Sequence, residues 1–179
     1  MSQVILETER LILRVMSQDD FEALVAVLSD PETMRFYPQP FDQPAVREGI
    51  ERNIRRFEAF GGGLWSVVQK DSGQVIGDCG LTWQDVDSVW ELEVGYRFNK
   101  NFWGQGFATE AARACRDYGF RHYRVNRLIS LIRPENIPSR RVAERNGMQI
   151  VKETIRARLR HDVYAIDRDS KQIQALTQE

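Results

Sequence analysis

WELEVGYRFNKNFWGQGFATEAA, residues 90–112, is the stretch on which the reading of this chain turns. Its first part reads as a strand: Val94, Tyr96 and Phe98 favour extended backbone, and Glu91 and Glu93 recur at every second position. After Ala108 the composition shifts to Ala, Glu and Arg, which favour helix. Between the two lies Trp103-Gly104-Gln105-Gly106-Phe107-Ala108. Glycines let the backbone turn tightly and approach a ligand closely. The first turn of the helix adds unpaired N–H groups at the positive end of its dipole. Together these form an anion site, most often for phosphate. The stretch points to a phosphorylated cofactor held beside a strand that carries carboxylates. A glycine loop can also be a plain strand-to-helix turn. It is not the dinucleotide fingerprint, because Thr109 stands where the third glycine belongs, and no Gly-Lys-Ser/Thr follows as in a P-loop.

Composition narrows the classes. A chain of 179 residues with 42% hydrophobic and 28% charged residues fits one globular domain, taken as residues 1–167, followed by a polar tail over 168–179. The net charge of −1 argues against a general nucleic-acid binder. Cys79 and Cys115 have no metal or framework spacing and read as reduced thiols of a cytoplasmic protein. His122 and His161 are too few for a histidine-rich metal site, and no metal is expected. Glu7 and Glu9 come too early for a signal peptide, and no apolar run approaches the ~20 residues of a membrane span.

Outward from the central stretch, the pattern predicts a strand within residues 4–15, then a helix opened by Ser17 with Phe21, Leu24, Val25 and Leu28 on one face. Residues 34–40 (MRFYPQP) read as a packed aromatic loop, with one wall of an acceptor pocket as the functional alternative; Tyr37 is its candidate substrate contact. A second helix starts near Asp42 and Pro44 and ends at Gly61-Gly62-Gly63. Strands follow at 64–69, 74–83 and 90–98, and Gly77 and Gly80 suggest a bulge or bend. Then come the loop, a helix over 106–123 with Cys115 on its core face, and a short strand at 127–132. A helix after Pro138 and two closing strands at 148–155 and 159–166 complete the chain. The order β, α, α, βββ, α, β, α, ββ implies an α/β (α+β) fold: a mixed, mostly antiparallel twisted sheet of six to seven strands with helices on both faces.

Four segments together resemble the GNAT superfamily of N-acyltransferases, and within it the RimJ/RimL-type branch. They are TERLILR (8–14), ELEVGYRF with NFWGQGFATEA (91–111), NIPSRRVAERNGM (136–148) and HDVYAI (161–166). The resemblance spans the chain to about residue 167. It implies acetyl-CoA as acyl donor. The family's phosphate loop would fall on Trp103, Gly104, Gln105, Gly106, Phe107 and Ala108, with the amide of Thr109; Trp103 departs from the usual Gln or Arg. Tyr96, Arg97 and Phe98 would pair through their backbone with the pantetheine arm, and Asn136 would hold it from the other side. Asn136 also reads as a helix cap.

The resemblance further implies direct transfer of the acetyl group to a primary amine. Such an amine is mostly protonated at neutral pH, so a base has to take a proton. Glu93 matches the branch's Glu-x-Gly-Tyr pattern and is the candidate base; Glu91, two residues earlier on the same face, could attract a cationic amine. Many relatives carry a Tyr acid seven residues after the motif Asn, but this chain has Ala143 there. Ser139 remains near the thiol, either as a donor to sulfur or as a residue of the cofactor groove. The acceptor reads as a protein N-terminus, such as that of a ribosomal protein, or as a small amine. A non-catalytic acetyl-CoA-binding module is the alternative of a different class. Monomer and homodimer are both compatible, and neither nucleic acid nor membrane is expected as a partner.

Overall fold

The structure, a computed structural model, describes residues 2–169. Eight strands form one sheet in the order β1-β2-β3-β4-β5-β6-β8-β7. They are β1 (Val4–Glu7), β2 (Leu11–Arg14), β3 (Gly63–Gln69), β4 (Val75–Val86), β5 (Val89–Phe98), β6 (Arg127–Ile132), β7 (Gln149–Arg156) and β8 (Leu159–Asp167). The helices are α1 (Phe21–Leu28), α2 (Gln43–Phe60), α3 (Phe107–His122) and α4 (Ile137–Arg145). Every strand pair is antiparallel except β5 and β6.

The sheet has one strand more than the upper expectation, because residues 4–15 are a hairpin rather than one strand. The cause lies 100 residues away. Glu110 on α3 accepts from the Thr8 hydroxyl at 2.6 Å, the Arg10 amide at 2.9 Å and Arg10 Nε at 2.7 Å. Those bonds hold residues 8–10 as a turn between β1 and β2. The rest of the element order is as expected, with ends displaced by a few residues.

Alternation on β3 shows how the sheet divides two cores. Trp65 and Val67 pack with Ala111, Ala112 and Cys115 of α3, whereas Leu64 packs with Leu24 of α1 and Ile50 of α2. Helices therefore cover both faces. α2 is capped by Asp42, whose side chain accepts the Ala45 amide at 2.9 Å, and it ends at Gly61 with φ 68°. Of the glycines expected to mark a bulge or bend, Gly77 lies beside a register irregularity, and both also mark close backbone approach. A Cβ on Gly77 would stand 2.2 Å from the Arg97 carbonyl oxygen, and one on Gly80 would stand 2.1 Å from that of Gly63. The β3–β4 register shifts between Val67 and Val68, beside Gly77.

Arg168 opens the expected tail, yet it is tied down: its side chain donates to the carbonyls of Phe120 and Tyr123 at 2.6 and 2.8 Å. The remainder of the tail, 170–179, lies outside the described residues. No helix among the described residues is long and apolar enough to cross a membrane.

Candidate active site

The site begins where two parallel strands part. β5 and β6 pair only at Leu92–Leu128 and Glu93–Ile129. Beyond Glu93, β5 stays paired to β4 as far as Gly77–Phe98, so its other edge opens toward a gap. Within that gap Ser130 donates to the Val94 carbonyl at 2.7 Å, and Trp103 Nε1 donates to the Phe98 carbonyl at 2.8 Å. The backbone edge of residues 95–97 is left without a strand partner.

A groove of about 440 Å³ runs along this edge. Its floor and walls include Tyr96, Arg97, Phe98, Trp103, Gly104, Gly106, Phe107, Ala108, Thr109, Asn136 and Ser139. Gly104 and Gly106 have φ 75° and 82°, left-handed values that suit glycine and turn the chain into α3. Gly106 is the N-cap of α3 and offers no side-chain cap, unlike Asp42 of α2 and Asn136 of α4. The first intrahelical bond of α3 runs from the Glu110 amide to the Gly106 carbonyl, so the amides of Phe107, Ala108 and Thr109 have no helical acceptor, and these three residues line the groove. Uncapped amides at a positive dipole end suit a pyrophosphate. Gln105 is exposed and outside the groove lining; its carbonyl accepts from Arg10 Nη1 at 2.9 Å.

A second cavity, about 290 Å³, lies against the first. Six residues belong to both linings: Phe36, Tyr37, Tyr96, Arg97, Asn136 and Ser139. The aromatic loop at residues 34–40 contributes Phe36, Tyr37 and Pro38 to the lining of this cavity. Tyr37 is 40% exposed. Its phenol is pushed above its ordinary pKa by burial, with the charges of Asp78 and Glu93 adding and Arg97 opposing.

Glu93 lines the second cavity. Its Oε2 accepts from Gln84 Nε2 at 2.7 Å, and its Oε1 accepts from the Leu131 amide at 3.2 Å. Burial raises its pKa above the usual carboxylate range, although the Leu131 amide, Arg156, Gln84 and Arg97 all pull the other way. Glu91 lines neither cavity; its charge reaches Arg127. Asn136 caps α4, its Oδ1 accepting from the Ser139 amide at 3.2 Å, which leaves its amide NH₂ without a partner among the described residues. Ser139 accepts at its carbonyl from the Tyr96 hydroxyl at 2.9 Å, and its own hydroxyl has no partner among the described residues. Ala143, where many relatives carry a Tyr, is buried in the core.

Several residues escaped the sequence reading. Asp78 on β4 holds Arg97 through two bonds, 3.0 Å and 2.5 Å, under the junction of the cavities. Arg56, Arg133, Arg156 and His161 come from four separate elements or loops and meet at the second cavity. No local spacing announces them. Only the Asp78–Arg97 cross-strand pairing was available in principle, from aligning the β4 and β5 patterns. Cys79 and Cys115 are buried with sulfurs 3.4 Å apart and line neither cavity, as expected of core thiols.

The sheet splays beside a helix without a side-chain cap, and two cavities meet at the splay. Comparison with known proteins is specific. The family model described as "Acetyltransferase (GNAT) domain" matches residues 10–149, and the chain belongs to this family of acetyltransferases. It is 40% identical over 152 residues to the uncharacterised protein YkkB of Bacillus subtilis, covering 84% of this chain and 88% of that protein. It is 35% identical over 136 residues to the uncharacterised N-acetyltransferase p20 of Bacillus licheniformis, covering 75% and 76%. Among solved structures, RimL, a ribosomal L7/L12 alpha-N-protein acetyltransferase in complex with coenzyme A, superposes with a TM-score of 0.76 at 21% identity, over 94% of this chain and 99% of that one. That last likeness is one of fold. No metal-binding cluster occurs among the described residues.

Proposed function

We propose that the protein transfers the acetyl group of acetyl-CoA to a primary amine by direct attack in a ternary complex, with the donor in the larger groove and the acceptor in the second cavity. The observation that carries this reading is the shared wall. Tyr96, Asn136 and Ser139 border both cavities, so substrates seated in each would meet there. The chain's two thiols are buried away from both, which speaks against a cysteine relay.

When bound, acetyl-CoA supplies a thioester carbonyl open to attack by an amine. The residues fit it. The free amides of Phe107, Ala108 and Thr109 would hold the pyrophosphate, and the open edge of β5 at residues 95–97 would take the pantetheine arm as an added strand. The free NH₂ of Asn136 would face the arm from the other side. Glu93 would take the amine's surplus proton. Its raised pKa brings it closer to that of the amine, which favours proton transfer near neutral pH, and Gln84 with the Leu131 amide fixes its orientation. The unpartnered hydroxyl of Ser139 would donate to the departing sulfur. Glu91, outside both cavities, would act only through its charge.

The fold shared with RimL supports a protein N-terminus as acceptor. The modest volume of the second cavity, about 290 Å³, favours a second reading in which the acceptor is a small amine. Initial rates of thiol release, with both substrates varied over a panel of peptides, amino acids and spermidine, test the proposal. Intersecting double-reciprocal lines are expected; parallel lines would establish a covalent relay and overturn direct attack.

A further inference from the structure

We infer that the acceptor amine carries an anionic group, a carboxylate or phosphate close to its nitrogen. This rests on the acetyltransferase reading above and names the class of acceptor for the same site. The second cavity is lined by Arg56, Arg97, Arg133 and Arg156, against Glu93 as its one lining carboxylate. Only Arg97 is fully matched, by two bonds to Asp78. Among the described residues Arg133 has one ion-pair contact, Nη2 to the rim carboxylate of Glu135 at 3.2 Å, and its buried Nε has no acceptor. Arg156 donates to the neutral amide of Gln84 at 2.5 Å. Arg56 has no hydrogen-bond or carboxylate partner among the described residues.

A buried guanidinium donor without an acceptor is costly, and unmatched cations in a cavity raise the local concentration of anions. The polarity also has a direction. Glu93 is bonded to the Leu131 amide, and Arg133 lies two residues further along the same backbone. Arg156 stands close enough to Glu93 to lower its pKa, and both Arg133 and Arg156 help burial to keep His161 neutral. An ammonium facing Glu93 would therefore have cationic groups within a few bonds' reach. An amino acid, an amine-bearing phosphate, or a peptide N-terminus followed at once by Asp or Glu fits that arrangement. A polyamine would turn a second ammonium toward the arginines and be repelled.

The test compares amines in pairs that differ only in the anion: an α-amino acid and its amide, 2-aminoethylphosphate and ethanolamine, and a short peptide with Asp or Asn at its second position. Spermidine completes the set. In each pair the anionic member is expected to have kcat/KM on the order of tenfold to a hundredfold higher. In Arg133→Gln and Arg156→Gln that ratio is expected to fall toward one, with the dissociation constant of acetyl-CoA unchanged. A preference confined to the first two pairs assigns a small-molecule acceptor; one confined to the peptides assigns a protein N-terminus. Turnover with neutral amines or spermidine in preference to their anionic counterparts overturns the inference and leaves the acetyltransferase reading standing. No turnover with any amine counts against both readings. Calorimetric binding of N-acetylated products to the CoA-saturated protein then decides the inference by itself: a product with its carboxylate should bind at least about tenfold tighter than its amide, and equal binding overturns it.

Discussion

Glu93 accepts the backbone N–H of Leu131 at 3.2 Å, across the point where β5 and β6 stop pairing. One side chain thus serves an amide that the parting of the strands would otherwise strand, and it is held facing the second cavity as it does so. Replacing it separates the two roles. In Glu93→Gln the amide oxygen can still accept from Leu131, while the base is gone. The expected result is a fall in kcat on the order of 10²- to 10⁴-fold with acetyl-CoA affinity unchanged. If kcat stays within a factor of two, Glu93 is only a brace for the splayed strands.

The same residue sets a pH dependence. As the proposed base, Glu93 works only when ionised, and burial raises its pKa. The rate should therefore drop on acidification at a pH above the ordinary Glu value of ~4.3. Its stability effect has the opposite sense. A carboxylate with a raised folded pKa binds its proton more tightly in the folded state, so between the ordinary and the raised pKa stability declines as pH rises. Paired pH profiles of kcat/KM and of the denaturant midpoint, taken for wild type and Glu93→Gln, check this. The substitution should flatten both in that window.

Asp20 runs the other way. It is 2% exposed and receives two bonds from Arg14 at 2.9 and 2.6 Å, one from the Ser66 hydroxyl at 2.6 Å and one from the Ser17 amide at 2.9 Å. Burial raises its pKa, but the bonds from Arg14, Ser66 and Ser17 outweigh burial and leave it lowered. Its stabilisation is therefore complete above the unfolded value of ~3.9 and is lost as pH falls through the lower folded value. Asp20→Asn leaves the Arg14 charge without its partner and should cost about 3–5 kcal/mol. Chemical denaturation at pH 7 measures that directly. A loss below about 1 kcal/mol would mean that Arg14 finds another acceptor.

What the sequence made legible was local. The strand, glycine loop and helix of residues 90–112 each carry their own pattern, and α3 begins at Phe107, one residue after the expected Gly106. β6 could be read because six largely apolar residues stand between polar ones. The misreading of residues 4–15 had a distant cause, since the bonds that fold Thr8 and Arg10 into a turn come from Glu110. The lining of the second cavity was hidden for the same reason. Arg56 sits on α2, Arg133 just beyond β6, and Arg156 at the end of β7, where Ala157 and Arg158 turn the hairpin with φ 48° and 62°. Nothing in their spacing relates them. The cationic wall exists only once the sheet order sets β6 beside β8 and β7.

Glycines in this chain answer to two different constraints, and substitution should tell them apart. Gly80 has backbone 2.1 Å from where a Cβ would stand, between two paired strands that cannot retreat. Gly80→Ala should cost more than about 4 kcal/mol or prevent folding, as severe core strain does. Gly104 and Gly106 meet no backbone obstacle: Gly104 has nothing within 4 Å, and Gly106 has only the tip of Arg10 at 3.4 Å. Their constraint is the left-handed φ, which costs an alanine about 1–2 kcal/mol and can be relieved by rotating the loop amides. Gly106→Ala should therefore fold, show a modest drop in stability and bind acetyl-CoA roughly tenfold more weakly, since the α3 amides would no longer converge. The Asp42 cap of α2 supplies the control. Asp42→Ala lowers stability by about 1 kcal/mol through a helix end that does not line the groove and should leave acetyl-CoA binding untouched. Calorimetric titration of the three folded proteins decides the matter. If Gly106→Ala binds as wild type does, the loop amides do not hold the pyrophosphate.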